Sequence, residues 1–160
     1  MKKSIVVTGG AGFVGSNLIE SLLTKTKYNI ISLDNYSTGK KKNHLLSNRV
    51  KYLKGNTLNI SKILKKYKKK IIVVFHFGEF SRIYRSFKKF NRCLQSNLSG
   101  SNEVFNFCLN NKIKLIYSAT SASFGNNGND KNLSPYTFTK SKNLELLENL
   151  KKWFNFKYEV

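Results

Sequence analysis

The segment Tyr136-Thr137-Phe138-Thr139-Lys140 places a phenol and an ammonium group four residues apart. In a helix this spacing is about one turn, so both side chains project from the same face. A free phenol titrates near ~10 and is a poor base at neutral pH, but a nearby cation stabilises its phenolate form. Tyr136 and Lys140 are therefore candidates for a proton-abstracting pair. A surface Tyr/Lys pair without a chemical role is the alternative that the spacing alone leaves open.

A glycine-spaced turn near the N-terminus is the second chemical feature. Gly9, Gly12 and Gly15 follow an apolar run (Ile5 to Val7) and lead into a helix predicted over Ser16 to Leu23. Glycines at this spacing allow a tight bend and the close approach of a pyrophosphate. The N-terminus of the next helix would present free N–H groups to the anion. The spacing predicts a dinucleotide cradle, and an ordinary glycine-containing loop is the alternative.

Asp34 ends the second apolar run of the chain (Ile30, Ile31, Leu33). It lies about twenty residues beyond the glycine turn, the distance at which dinucleotide-binding units carry an acidic residue. A carboxylate there accepts hydrogen bonds from the adenosine ribose and repels a 2′-phosphate. The sequence therefore favours NAD over NADP as cofactor.

Strands and helices alternate along the chain in a way that predicts a parallel sheet. Strands are predicted at 5–7, 30–33, 50–53, 71–77 and 114–118, with a sixth beginning in 156–160. Helices are predicted at 16–23, 43–47 and 61–69, as one long helix over 87–108, and from Pro135 onward with Leu144, Leu147 and Leu150 facing inward. The continuously apolar strand Ile71 to Phe77 is expected to lie beside the first. We expect a doubly wound, Rossmann-type α/β fold whose sheet stops at about the sixth strand, with a loop over 125–130.

Each of the first five predicted strands has one candidate site residue at its carboxyl end: Thr8, Asp34, Asn56, Phe77 and Ser118. Ligands of parallel sheets bind beyond these ends. Five separated segments are therefore expected to converge on one crevice.

Charge is the most unusual feature of the composition. The formal net charge is +21, from 29 basic and 8 acidic residues. A field of this size attracts nucleic acids and other polyanions. Base readout and bidentate phosphate contacts rely on arginine, however, and 25 of the basic residues are lysines scattered over the chain. Nucleic-acid binding stays an alternative, which a steeply salt-dependent affinity would reveal.

Two cysteines, Cys93 and Cys108, match the spacing of neither a zinc site nor a disulfide framework, so we expect reduced, buried thiols and no metal site. No apolar run approaches the length of a membrane span, and Met1-Lys2-Lys3 leads directly into the first strand. The sequence indicates a cytoplasmic protein of 160 residues with no membrane contact.

The order and spacing of these motifs resemble the extended short-chain dehydrogenase/reductase family, and within it the NAD-dependent sugar-nucleotide epimerases and dehydratases. The resemblance extends over the whole chain. The residues that carry it are Thr8 to Gly15, Leu33 to Asn35, Val74 to Gly78, Asn97, Tyr117 to Gly125 and Tyr136 to Lys140.

The resemblance implies a role for each matching residue. It implies that Thr120 and Tyr136 are catalytic, with Tyr136 as the base, and that Lys140 tunes Tyr136 and binds the nicotinamide ribose. The residues it implies for cofactor binding are Gly9, Gly12, Phe13, Val14, Gly15, Asp34, Asn35, Asn56, Thr57, Phe77, Gly78, Ser81, Asn97, Ser118, Tyr136 and Lys140.

The reaction that the resemblance implies is a transient oxidation. Tyr136, with Thr120 sharing the hydrogen bond to a sugar hydroxyl, removes a proton as hydride passes to NAD, which gives a keto-sugar. A dehydratase would want a carboxylate directly after Thr120, and Ser121-Ala122 offers none. The expectation is therefore an epimerase of nucleotide sugars, UDP-sugars first, in polysaccharide or lipopolysaccharide synthesis. A dehydratase or reductase of the same family, or a catalytically silent NAD-binding module, stays an alternative.

Several features depart from the family pattern. Small residues usually follow the histidine, whereas this chain has Glu79 three residues after His76. We interpret Glu79 as a structural or solvated residue and His76 as a strand-end packing residue. The family's substrate domain should follow the sixth strand, so 1–160 is expected to be the NAD-binding domain alone. The long helix carries a stripe of small or apolar residues that we interpret as core, with a homodimer contact as the alternative: Phe87, Phe90, Leu94, Leu98, Ser101, Phe105 and Cys108.

Overall fold

The computed structural model describes residues 2–121 and 125–160, with side chains described for these except 125–128. Its centre is a six-stranded sheet in the order β3-β2-β1-β4-β5-β6, in which every pairing is parallel. The strands are β1 Ser4–Thr8, β2 Asn29–Asp34, β3 Val50–Lys54, β4 Ile71–His76, β5 Lys114–Tyr117 and β6 Tyr158–Glu159. This order, reversing at β1 and β4, confirms the predicted doubly wound, Rossmann-type α/β fold.

The two central strands are apolar because both faces of the sheet are covered. Every residue of β1 is buried, and Val6 lies opposite Ile31 of β2 and Val74 of β4. Continuous burial on both sides is what a central parallel strand requires. The prediction that the strand Ile71 to Phe77 lies beside the first strand is confirmed.

Within the part of the chain that the structure describes, six α-helices connect the strands. They are α1 Phe13–Lys25, α2 Ile60–Ile63, α3 Ile83–Lys88, α4 Phe90–Leu94, α5 Gly100–Asn110 and α6 Pro135–Phe154. The helix α6 has the most complete start: Ser134 and Thr137 form a reciprocal capping box, and Pro135 occupies the first turn. It ends at Asn155 in the left-handed conformation.

Helices cover both faces of the sheet and divide the core in two. On one face Leu64, Phe105, Leu115 and Leu147 are fully buried between the sheet and the helices α2, α5 and α6. On the other face Ile19 of α1 packs on the strand residues of β1 and β2. The inward orientation predicted for the last helix is confirmed, because Leu147 and Leu150 are buried and Leu144 packs against them half-buried.

Three local predictions are wrong. The helix expected over 43–47 is a 3-10 turn at Lys41–Asn43, and the helix expected over 61–69 stops after Ile63 and is followed by a 3-10 turn at Lys68–Lys70. The loop expected over 125–130 lies in a 3-10 helix, Gly125–Asn132. The segment that follows Ile63 is rich in lysine and has few apolar residues, so it buries too little surface to hold a longer α-helix.

The long helix expected over 87–108 is also wrong, because it is interrupted twice. Lys89 has a non-helical backbone (φ −122°, ψ 45°), and a π-helical segment, Gln95–Ser99, joins α4 to α5. The stripe is core only in its second half: Phe87 and Phe90 are 58% and 50% exposed, whereas Phe105 and Cys108 are buried. A regular spacing of apolar residues therefore did not distinguish a buried face from an exposed one.

Both cysteines are free and buried, which confirms the predicted reduced thiols. Within 2–121 and 125–160, no helix combines the length and the hydropathy needed to cross a bilayer.

Candidate functional site

A crevice of about 480 Å³ opens beyond the carboxyl ends of the first five strands. Four of the five predicted strand-end residues line it, namely Asp34, Asn56, Phe77 and Ser118. The fifth, Thr8, does not: it is fully buried, and its hydroxyl lies 2.7 Å from Nδ1 of His76. The convergence of separated segments is confirmed, with Thr8 beneath the crevice floor instead of on its wall.

The glycine turn closes one end of the crevice. Gly9 has φ +71°, and an added Cβ would lie 2.8 Å from the carbonyl carbon of Phe77. At Gly15 an added Cβ would lie 2.3 Å from the carbonyl oxygen of Gly9, so glycine is required at both positions. Gly12 is the N-cap residue of α1, and no side chain caps this helix end. The bare backbone and the open helix N-terminus fit the diphosphate of a dinucleotide.

Asp34 fixes the turn to the second strand. Its Oδ2 accepts a hydrogen bond from the Ala11 amide at 2.9 Å, and its Oδ1 accepts one from the Tyr36 amide at 2.7 Å. A carboxylate has about four lone-pair sites, so capacity is left for ribose hydroxyls. Asn56 caps the 3-10 turn that follows β3, with Oδ1 accepting from the Leu58 amide at 3.0 Å.

Tyr136 and Lys140 line the other end of the crevice from the first turns of α6. Tyr136 is half-buried, and Lys140 is only 4% exposed. The Lys140 ammonium forms an ion pair with Glu79, donates to the Ser118 carbonyl oxygen and lies 4.6 Å from the centre of the Tyr117 ring. The lysine is therefore held in the wall of the crevice by two other segments, the loop at Glu79 and the end of β5.

Glu79 is the acceptor at the centre of a buried polar cluster. Its side chain is 5% exposed. Its Oε1 accepts from Ser101 Oγ at 2.5 Å, from the Tyr117 hydroxyl at 3.0 Å and from Asn143 Nδ2 at 3.1 Å. Burial, with the Glu79 charge as the second cause, raises the pKa of Tyr117, which keeps this phenol a donor. Of the two interpretations left open for Glu79, the structural one is confirmed.

His76 lies below this cluster and is fully buried. Its Nε2 is 2.9 Å from Ser101 Oγ, and its ring meets Phe105 edge-on. Burial lowers the pKa of His76 to about 4, so the imidazole is neutral at neutral pH. The interpretation of His76 as a strand-end packing residue is confirmed.

Two predicted site residues lie off the crevice wall. Asn97 is fully buried and clamps Phe80, since Oδ1 accepts from the Phe80 amide at 2.6 Å and Nδ2 donates to its carbonyl at 3.1 Å. It supports a lining residue and does not line the crevice itself. Thr120 is half-buried, two residues past Ser118, and is not among the described lining residues. Ala122 and the two residues after it, part of the matched motif, lie outside the described residues.

All other predicted site residues line the crevice: Gly9, Gly12, Phe13, Val14, Gly15, Asp34, Asn35, Asn56, Thr57, Phe77, Gly78, Ser81, Ser118, Tyr136 and Lys140. Sequence reasoning missed the exposed Arg82 and Arg92, which line it as well. The turn residues Ser37, Thr38 and Gly39 were also missed, although their position after β2 could have indicated them.

The parallel sheet, the bare glycine turn and the acidic residue at the end of β2 define a dinucleotide-binding protein of the Rossmann class. A Tyr/Lys pair shares the crevice. The chain belongs to the NAD dependent epimerase/dehydratase family, whose family model matches residues 5–159. This confirms the family resemblance and NAD as the cofactor.

Three relatives show the range of reactions around this chain. The ADP-L-glycero-D-manno-heptose-6-epimerase of Brachyspira hyodysenteriae is 30% identical over 85% of this chain and 45% of its own length. The dTDP-D-glucose 4,6-dehydratase of Dictyostelium discoideum is 34% identical over 77% of this chain and 30% of its own. The structure of a UDP-N-acetylglucosamine 4-epimerase from Methanobrevibacter ruminantium M1, in complex with UDP-N-acetylmuramic acid, matches with TM-score 0.84 and 31% identity over 99% of this chain and 54% of that one.

The chain thus spans about half or less of the length of these relatives. These relatives are two epimerases and a dehydratase, so the comparisons do not select one reaction.

Proposed function

We propose that residues 1–160 form the NAD-binding domain of a nucleotide-sugar epimerase. The observation that carries the proposal is that Tyr136 and Lys140 line the same crevice as the glycine turn and Asp34. A hydride acceptor bound across this crevice would have its diphosphate at one end and a base at the other. The family membership supports the same arrangement.

In the proposed mechanism Tyr136 removes a proton from a sugar hydroxyl while the carbon loses hydride. Bound NAD supplies the hydride acceptor. Lys140 would hold a positive charge near the phenol and donate to the cofactor ribose, and Thr120 would share the hydrogen bond to the reacting hydroxyl. Return of the hydride to the opposite face of the keto-sugar carbon, with the proton passing back from Tyr136 to the oxygen, would complete an inversion. Ser121 after Thr120 supplies no acid for eliminating water, which favours epimerisation over dehydration.

A UDP-sugar is the proposed substrate, in the synthesis of polysaccharide or lipopolysaccharide sugars. Support comes from the solved relative that carries a UDP-sugar and is 31% identical to this chain. The relatives that use ADP- and dTDP-sugars make those nucleotides the first comparisons in any assay.

The test compares the wild-type protein with Tyr136→Phe, using the longest polypeptide that the coding frame encodes. NAD-loaded protein is mixed with UDP-, ADP- and dTDP-hexoses, and the products are separated by chromatography. We expect an epimer from the wild type, and retained NAD binding without turnover in Tyr136→Phe. The matched control is Tyr84→Phe, since Tyr84 is 70% exposed on α3 and does not line the crevice.

Two results would contradict the proposal. Unchanged turnover in Tyr136→Phe would remove this residue from the mechanism. Tightly bound NAD that exchanges hydride with no nucleotide sugar would identify a catalytically silent module instead.

We also propose a homodimer through the helices α3, α4 and α6. Large apolar side chains are exposed there: Phe87 on α3, Phe90 on α4, and Trp153 and Phe154 on α6. Sedimentation of the chain tests this, and a monomer at every concentration would contradict it. Nucleic-acid binding has no comparable support beyond the lysine excess.

A further inference from the structure

A directed chain of hydrogen bonds runs under the crevice floor. The Ser101 hydroxyl has one proton and donates it to Glu79, so it must accept from His76 Nε2–H. His76 Nδ1 then accepts from the Thr8 hydroxyl, which in turn accepts from the Gly78 amide at 3.0 Å. Every proton in this chain points toward Glu79. The direction assigns the Nε2–H tautomer to His76, in keeping with its lowered pKa.

Glu79 accepts from four donors on three other segments and donates to none of them. Ser101, Tyr117 and Asn143 all donate to Oε1, while Lys140 donates to Oε2. An acceptor-only arrangement of this kind is that of an ionised carboxylate. Its charge is balanced by Lys140, and both side chains are 5% exposed.

Lys140 has three N–H donors, and the structure accounts for two of them at close range, on Glu79 and on the Ser118 carbonyl. The third meets only the longer contact to the Tyr117 hydroxyl, at 3.4 Å. A buried ammonium without a counter-charge is expelled from the protein interior or loses its proton. Glu79 is the described carboxylate that supplies this counter-charge.

We propose that Glu79 is the positioning residue for Lys140. Its buried carboxylate keeps the ammonium charged and in the crevice wall, with one N–H directed to the ligand. This inference rests on the proposed function, because the ligand in question is the NAD ribose. It also means that Glu79 and Lys140 act as one unit, so neither contributes to NAD binding without the other.

The test is a double-mutant cycle on NAD affinity, measured by calorimetry with the whole chain. Glu79→Gln and Lys140→Met should each weaken NAD binding about tenfold, and the double variant should bind no more weakly than the worse single variant. Glu145→Gln is the matched control, because Glu145 is paired with Lys142 on an exposed face of the same helix as Lys140. Losses that multiply in the double variant, or Glu79→Gln binding like wild type, would overturn the proposal.

A variant that fails to fold also tests the proposal. If Glu79→Gln does not fold but Glu79→Gln/Lys140→Met does, Glu79 is needed because of Lys140, as proposed. If the double variant fails as well, Glu79 acts through its other donors and the proposal is wrong.

A second measurement does not depend on NAD. In the wild type, burial and the ion pair should slow proton exchange of the Lys140 ammonium enough for its 15N resonance to be observed, and Glu79→Gln should abolish that signal. An unchanged signal in Glu79→Gln would overturn the positioning role. If the wild-type signal depends on Glu79 while NAD fails to bind, the positioning role stands and the proposed function fails.

Discussion

The two ends of the crevice are built in different ways. The glycine end is formed by main-chain atoms. Gly9, Gly12 and Gly15 belong to one continuous turn, and its geometry requires residues without a side chain. The Tyr136 end is formed largely by side chains. Lys140 there is held by groups from two other segments, the loop at Glu79 and the end of β5. A local turn is specified by neighbouring residues, whereas a side-chain cluster is specified only by the complete fold.

This difference predicts where each end is vulnerable. The side-chain end should respond most to changes in charge and protonation, because its groups are buried and mutually paired. The backbone end should respond to added volume.

Lys140→Ala should destabilise the protein by ~3–5 kcal/mol, because it leaves the Glu79 carboxylate buried without its cation. Urea unfolding measures the change in free energy of unfolding. Lys142→Ala is the control on the same helix, since its ion pair with Glu145 is exposed. If Lys140→Ala lowers the free energy of unfolding by no more than Lys142→Ala does, the buried ion pair contributes little to stability.

Acidification should destabilise the protein through His76. Burial lowers its pKa from 6.5 to about 4, so between these values the unfolded chain binds a proton that the folded chain rejects. The contribution is fully present above pH 6.5 and is lost as the pH falls, by ~3 kcal/mol near pH 4. Urea unfolding at a series of pH values measures this slope. A folded His76→Asn variant should lose that part of the slope and His44→Gln should keep it; equal slopes in all three proteins would contradict the account.

Gly15→Ala should cost ~1–3 kcal/mol and abolish NAD binding, because its Cβ would lie 2.3 Å from the carbonyl oxygen of Gly9. Gly12→Ala is the paired variant: its Cβ would lie 3.2 Å from the same oxygen, so the fold should persist while NAD binding weakens. Thermal unfolding and calorimetric titration give both quantities. If both variants lost the same amount of stability, an added side chain would cost the same at position 12 as at position 15, which would contradict the prediction.

Asn56→Ala should have the smallest effect, ~1 kcal/mol, through loss of the cap on the Leu58 amide. Asn59→Ala is the control, because no side-chain hydrogen bond of Asn59 caps α2. Denaturant midpoints distinguish the two variants, and equal midpoints would assign no stability to the cap.

The sequence predicted the glycine end because its requirements are local. Spacing alone located Gly9, Gly15 and Asp34, and the apolar runs located the strands that hold them. The break at Lys89 and the π-helical segment were not predictable from periodicity, since exposed Phe87 and Phe90 continue the stripe of buried residues.

The Glu79 cluster could not be predicted for a different reason. Its members lie 22 to 64 positions from Glu79 along the chain and meet only after the sheet has formed. Tyr136 and Lys140 were found through their helical spacing, but nothing in that spacing indicates the partner of the ammonium group.

The most direct test of the account is a titration of the chain with NAD, followed by the amide chemical shifts of both ends of the crevice. The amide signals of Gly9 to Gly15 and Tyr136 to Lys140 should shift together with a single dissociation constant, and NADP should bind far more weakly because of Asp34. Shifts confined to one end, or equal affinity for NADP, would contradict it.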